Sequence, residues 1–318
     1  MGVIAKYKFN NTLEANLLPE FNSEFTSDLY TVTDEVNGEV TTRTIESDSL
    51  PTLMRFGQVW EEEETRASNK SRALLEILDM DTSELTIGDS MFRYCINLTS
   101  IVCNWNTSNI TQTTDMFSIC QSLVNIDVSN WETSKFTNIY KIFQDCNVLR
   151  TLDMRNWNTS NITNFSRAFY SADNITTLDI SNWVISDNAD ISGAIGDNAL
   201  LKYIKCDIPN TIQKISSLLP TRTSDNLGVI IYQGTETLPQ ETIDTLNSRG
   251  WTVNTNPTLI AKYKYDSKIY KNTIPEFNEG YMGFVEDEEV DENGVVTRKI
   301  EHVELSTYVR FGYNDTIR

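Results

Sequence analysis

"LDMRNWNTSNIT", residues 152–163, sets a tryptophan inside a polar turn signal, and the chain says it more than once. "IDVSNWETSKFT" stands at 126–137, "LDISNWVISDNA" at 178–189, and a looser "IVCNWNTSNIT" at 101–111. Trp105, Trp131, Trp157 and Trp183 therefore recur every 26 residues. An apolar LxxLxV pattern precedes each one: Leu98, Ile101 and Cys103; Leu123, Ile126 and Val128; Leu149, Leu152 and Met154; Ile175, Leu178 and Ile180. Leu75 and Ile77, with Met80 in the tryptophan column, give a degenerate first copy; Leu200, Ile204 and Cys206 give a degenerate last one. A period of roughly 20–29 residues around such a core is the signature of leucine-rich repeats.

Each repeat reads as strand, turn and short helix. The LxxLxV segment supplies the strand, "NTSNIT" the turn and helix N-cap, and "TTDMFSIC", "NIYKIFQDC" or "NFSRAFYSA" the helical turn. One repeat cannot bury its apolar residues alone; stacked neighbours can, with the tryptophans as one internal column. Cys95, Cys120 and Cys146 share a position that Ala172 takes in the next repeat. A slot that takes either wants a small buried side chain rather than a redox pair. Asn104, Asn130, Asn156 and Asn182 form a further column, read as stacked amides closing a turn.

These motifs resemble the BspA-like leucine-rich repeats, units of about 26 residues found in surface proteins of bacteria, mycoplasmas included, and in some phage proteins. The resemblance covers residues 74–206, and its Trp-Asn-Thr-Ser and Met-Phe signatures carry it. It implies a short solenoid and extracellular binding or adhesion, with no catalytic residues to carry over. The fifth copy departs from the pattern: "VISDNADISGAIGDNA" replaces "NTSNIT" and its helix.

A longer repeat flanks the array. "VIAKYKFNNTLEANLLPEFN" at 3–22 returns as "LIAKYKYDSKIYKNTIPEFN" at 259–278, and "LMRFG" at 53–57 as "YVRFG" at 308–312. Alternating polarity and the Asn37-Gly38 and Asn293-Gly294 dipeptides predict hairpins. The expected fold class is an α/β repeat: a short leucine-rich-repeat solenoid flanked by two copies of a small β module. The expected domains are a β module at 1–57, a solenoid with end caps at 58–256, and the second β module at 257–318. Within the solenoid, 58–72 is a polar connector. Residues 224–254 are a cap with strand "LGVIIYQG", helix "PQETIDTLNSRG" and a closing "WTV".

The chain has 45 acidic residues against 26 basic ones, a net charge of −19, which argues against nucleic acid and anionic membrane surfaces as partners. No stretch is apolar enough for a membrane span, and the start lacks a secretion signal. A lone His302 and five cysteines without a CxxC pair exclude histidine triads and zinc sites. No constellation marks an enzyme, and nothing points to a cofactor or metal.

Strand positions between the core residues should project outward. Arg150, Asp153, Thr177, Asp179 and Tyr203 mix donors, acceptors and one aromatic, and are the expected ligand-binding residues. Glu76, Asp127, Asp153 and Asp179 form an acidic column, read first as solvated or backbone-bonded carboxylates and second as a Ca²⁺ site. Trp105, Trp131, Trp157 and Trp183 are structural. The expected function is non-enzymatic attachment, as a component of a phage or phage-tail-like particle that recognises a host cell-surface glycan or protein. The expected partners are that ligand, other structural proteins of the particle, and further copies in a homo-oligomer. The alternative is a bacterial cell-surface adhesin.

Overall fold

A computed structural model describes residues 1–58, 69–102, 105–150, 152–223 and 227–255, and the backbone of five strands between 258 and 310. The first module contains β1 (Gly2–Asn10), β2 (Glu20–Phe21), β3 (Tyr30–Asn37), β4 (Val40–Ser47) and β5 (Met54–Arg55). Burial alternates along β4 residue by residue, so one face of this strand lies on a core. Its hairpin with β3 pairs Asn37 with Val40, which leaves Gly38 and Glu39 as the two loop residues. The turn thus sits one residue beyond the Asn37-Gly38 expected from the dipeptide. Gly38 takes φ +62°, and glycine at the first of two loop positions suits the twist of the flanking strands. The other expected turn, Asn293-Gly294, lies outside the described residues. In the module core, Arg43 donates to Asp34 at 2.8 and 2.6 Å and to the Leu17 carbonyl at 2.8 Å. A buried guanidinium is tolerated when it is paired in this way.

β1 pairs antiparallel with β4 on one edge and with β6 (Leu74–Met80), the first strand of the solenoid, on the other. The short helix α1 (Asn69–Ala73) leads into β6, and β6 pairs in parallel with β7 (Ser100–Ile101). One five-stranded sheet, β3-β4-β1-β6-β7, therefore runs from the module into the repeats. Residues of both belong to a single hydrophobic core.

The repeats form a β-solenoid of about seven coils, held by three internal columns. Trp131, Trp157 and Trp183 stack with ring centres 5.6 and 6.0 Å apart and planes 8° and 13° from parallel. Trp105, the half-buried first ring of the column, tilts 59° to Trp131. A second aromatic column was not foreseen: Phe92, Phe117, Phe143 and Phe169 stack at 5.4, 5.4 and 6.0 Å. Phe56 of the first module extends it, 6.0 Å from Phe92. The third column is polar. Buried Thr133 and Thr159 each accept from a backbone N–H of the next coil (Asn158 at 2.7 Å, Val184 at 2.8 Å) and donate to that residue's carbonyl. A threonine satisfied in both directions carries little desolvation cost. The Asn156 and Asn182 amides likewise donate to carbonyls of the preceding coil, Ser129 and Arg155, rather than to one another. Asn104 lies outside the described residues.

The side expected to be helical is not helical in these coils. Between Gly88 and Cys95 the backbone N–H groups divide by turns. Ser90, Phe92 and Tyr94 donate across to Thr114, Met116 and Ser118 of the next coil at 2.8, 2.8 and 2.9 Å. Met91, Arg93 and Cys95 donate three residues back within their own coil. Ser90 and Tyr94, then Asp115 and Ile119, Lys141 and Asp145, and Arg167 and Ser171 adopt positive φ, at every fourth residue within a coil. Each left-handed residue costs roughly 1–2 kcal/mol. The compensation is a parallel ladder that gives each turn side a hydrogen-bonded neighbour, which an isolated short helix would lack.

Longer helices appear at the end of the array, one before the expected cap and one within it. β8 (Thr177–Asp179), β9 (Tyr203–Lys205), β10 (Gly228–Ile231) and β11 (Trp251–Asn254) form a parallel sheet in the order β11-β10-β9-β8. α2 (Pro209–Ser216) connects β9 to β10, and α3 (Gln240–Ser248) connects β10 to β11. The expected strand, helix and closing strand at 224–254 are all present; α2 is additional.

The second module has β12 (Thr258–Asp266), β13 (Glu276–Phe277), β14 (Phe284–Val290), β15 (Val295–His302) and β16 (Val309–Arg310). Its order, β12-β15-β14 with β13-β16, repeats β1-β4-β3 with β2-β5. Even the irregularity recurs: the β1–β4 register shifts between Val3 and Ala5, and the β12–β15 register between Leu259 and Ala261. The hairpins differ, since Val285 rather than Glu288 faces Ile300, the counterpart of Ile45.

Cys95, Cys120, Cys146 and Cys206 are buried and free. The Cys120 and Cys146 thiols donate to the Phe92 and Phe117 carbonyls at 3.1 Å. Burial pushes the Cys146 and Cys206 thiols up to about 12. Thiolate is the reactive form, so an aromatic disulfide reagent should label none of these four in the native chain and all four in denaturant. Rapid native labelling at any of them, located by peptide mapping, would remove that cysteine from the core.

Candidate functional site: the outer face of the strand side

The five expected ligand residues lie on neighbouring coils, but they are not equally accessible. Arg150 is exposed, and its backbone N–H reaches the Val124 carbonyl at 3.4 Å. Asp153 is half-buried and grips Arg155 through two hydrogen bonds, 2.9 and 2.8 Å. A parallel bridge sets Asp153 beside Asp179. Thr177 lies in register with Tyr203, and Asp179 with Lys205. Arg150 and Asp153 thus present side chains near the surface; the Thr177 hydroxyl is buried, and Asp179 and Tyr203 are buried whole. Tyr203 is buried in a small cluster with Ile231 and Val229, apart from the main core, and the Lys202 ammonium lies 5.1 Å from its ring centre. It lies on the expected face, but the next coil covers it. Thr151, in the same row, lies outside the described residues.

The acidic column has a local explanation. The backbone N–H groups of Ser129, Arg155 and Ser181 donate to Asp127, Asp153 and Asp179, two residues earlier, at 3.0, 3.4 and 3.1 Å. These are Asx turns, which bend the chain at a coil corner. Two other corners use the same device: Asn106, Glu132 and Asn158 accept from Ser108, Ser134 and Ser160, and Asn138, Asn164 and Asp190 from Tyr140, Ser166 and Ser192. Glu76, at the head of the column, is paired with Lys8 of the first module at 2.9 Å. Among the described residues, no three His, Cys, Asp or Glu side chains are grouped to hold a metal. The sequence missed Arg155, the cation beside Asp153, for which the Asp-x-Arg spacing in "LDMRNW" was the available signal; Lys205, the cation beside Asp179, is a break in the acidic column itself.

Asp179 is the buried carboxylate of this face. Oδ1 accepts from the Ser181 hydroxyl at 2.6 Å, and Oδ2 has no partner. Burial raises its pKa above 3.8, opposed by the Ser181 hydrogen bonds and the charges of Lys205 and Arg155. The folded chain therefore holds this proton more tightly than the unfolded chain does. Stability from the group is fully present below the unfolded value and falls as pH rises through the folded one. Asp179→Asn should accordingly raise the melting temperature near pH 7, and the gain should vanish below about pH 3, where aspartate is protonated in both states. An equal shift at both pH values in calorimetry would show that charge burial is not the cause.

The interior offers no alternative site among the described pockets. A void lined by Phe169, Trp183, Ile195 and Ile215 holds about 10 Å³, too little for more than a water. No described helix is long and apolar enough to cross a membrane.

The matched stretch of sequence coincides with this array. Residues 65–183 are similar to a family described as "Mycoplasma protein of unknown function, DUF285". The DUF285 match ends on Trp183, the last ring of the tryptophan column, and includes neither β module. No curated protein and no solved structure matches the chain.

Proposed function

We propose that this chain is a non-enzymatic recognition protein of the BspA-like leucine-rich-repeat kind, which binds a cell-surface glycan or protein through the outer face of its strand side. One observation carries the reading: inner positions repeat from coil to coil as Trp, Thr and Phe, while the exposed outer row changes through Thr99, Val124 and Arg150. A surface free of the packing constraint is where a repeat protein can acquire specificity. The leading setting is a phage or phage-tail-like particle, with the ligand on the host and other particle proteins as neighbours. The second is a bacterial cell surface, and the similarity to a Mycoplasma family favours it. In both, the strand side does the binding.

The test is binding of the labelled full chain to intact cells of the source lineage. Arg150→Ala combined with Asp153→Asn should weaken binding at least tenfold, with a melting temperature close to the parent's, because asparagine keeps the oxygen that accepts from the Arg155 N–H. Asn109→Ala combined with Asn161→Ala, at another corner of the coils, should leave binding as it was. Full binding by the first variant would move the site off this face.

A further inference from the structure

The first module ends its sheet on a strand that carries none of the usual guards. We propose that this strand, β3, is the contact through which two copies of the chain pair: β3 meets β3 of a second copy antiparallel, about a twofold axis at Thr33, and one sheet runs through both.

β3 is the last strand of the order β3-β4-β1-β6-β7. Every residue from Thr31 to Asn37 is exposed, Val32 at 38% and Val36 at 69%. The neighbouring pairs decide which backbone groups face outward. The Asn11 N–H donates to the Glu39 carbonyl at 2.9 Å, so odd-numbered residues of β4 bond β1 and even-numbered ones bond β3. Val40, Thr42, Thr44 and Glu46 stand opposite Asn37, Glu35, Thr33 and Thr31. The N–H and C=O groups of Val32, Asp34 and Val36 therefore point away from β4, along an exposed edge. Such an edge is a template for strand addition.

Proteins blunt these edges with lysine, proline, a bulge or concentrated charge. β3 pairs with β4 without a register shift, and "YTVTDEVN" has neither Lys nor Pro. The corresponding strand of the second module is treated differently. β14 shifts register between Val285 and Asp287, and the chain runs Glu286-Asp287-Glu288-Glu289 through it. One copy of the edge is blunted and the other is kept fit for pairing.

Charge selects the register. Two antiparallel self-pairings keep nearly the whole strand in contact while matching outward groups to outward groups. Centred on Asp34, the pairing sets two carboxylates directly opposite, which is destabilising. Centred on Thr33, it sets threonine on threonine, Asp34 opposite Val32, Glu35 opposite Thr31 and Val36 opposite Tyr30. No acid then faces an acid, and Val36, the most exposed apolar side chain of the strand, gains an aromatic neighbour. The contact uses the same patch on both copies, as a twofold dimer requires.

Sedimentation equilibrium of the full chain, from micromolar to near-millimolar concentration, tests this. The parent should form a reversible dimer. Thr33→Lys and Thr33→Glu, each alone, should weaken self-association at least tenfold, and both should melt with the dilute parent, because Thr33 is exposed. Mixing the two variants should restore a heterodimer, since this register sets Thr33 against its own mate. Hydrogen exchange gives a second readout. Raising the parent's concentration should slow the amides of Val32, Asp34 and Val36, and leave those of Thr33 and Glu35, already bonded to β4, unchanged. A parent that stays monomeric throughout would overturn the proposal and leave the edge to a strand of another protein. So would a dimer that Thr33→Lys leaves intact or strengthens, because the contact would then lie elsewhere or in the register centred on Asp34.

Discussion

Trp157→Ala is expected to lower the unfolding free energy by about 3–5 kcal/mol. Its ring is 1% exposed, lies between Trp131 and Trp183, and meets Phe136 edge-on at 6.2 Å. Its indole N–H donates to the Val128 carbonyl at 3.1 Å, so truncation leaves that buried acceptor short as well as leaving a cavity. The position within the array matters as much as the ring. Coils of a solenoid touch only their neighbours, so a defect in the middle weakens the coupling of the two halves, while one at an end frays one coil. Trp105→Ala, at a half-buried and tilted ring, should cost clearly less. Urea melts followed by circular dichroism measure both, and the middle variant should also show a broadened transition. Equal losses at the two positions would mean that the column does not act as a continuous stack.

The columns were legible because a solenoid writes its core along the sequence at its own period, and Trp, Leu and Cys recur at the spacing that places them together. The Met-Phe-x-x-Cys pattern was misread as helix for a physical reason. Positions i, i+1 and i+4 face one way on a helix, and they also face one way on a turn whose alternate N–H groups leave for the next coil. Only the neighbouring coil decides between the two, and its carbonyls are 24 or 25 residues on. Phe56 escaped notice because it stands 36 residues before Phe92, outside the period. The β1–β6 pairing leaves no local mark, since Tyr7 and Ile77 are 70 residues apart. α2 did carry a signal, with Pro209 at the helix start and Ile212, Ile215 and Leu219 at helical spacing. At the candidate site, alternation along each strand identified which face Tyr203 occupies, but burial by Ile231 and Val229 depends on a coil that breaks the repeat.

Gly57→Val is expected to detach the first module from the array at a cost of about 3 kcal/mol or more, beyond the usual range for a surface glycine. The obstacle is main chain: an added Cβ would meet the Ser90 oxygen at 2.0 Å and the Arg93 nitrogen at 2.3 Å, and neither can swing aside as a side-chain tip can. Relief requires the chain at Phe56 and Gly57 to lift off the first coil. Their two hydrogen bonds to Met91 would go, along with the 6.0 Å stack of Phe56 on Phe92. Because the conflict begins at the β-carbon, Gly57→Ala should cost nearly as much as Gly57→Val. Gly38 supplies the contrast: no atom lies within 4 Å of its would-be Cβ, but its φ is +62°. Gly38→Ala should therefore cost only the roughly 1–2 kcal/mol of a left-handed L-residue and leave the junction closed. Hydrogen exchange separates the two cases. Both Gly57 variants should expose the β1-facing amides of Leu74–Met80, while Gly38→Ala should leave them protected and loosen the β3–β4 hairpin instead. If Gly57→Ala melts with the parent and keeps those amides protected, the module is not seated on the array through this glycine.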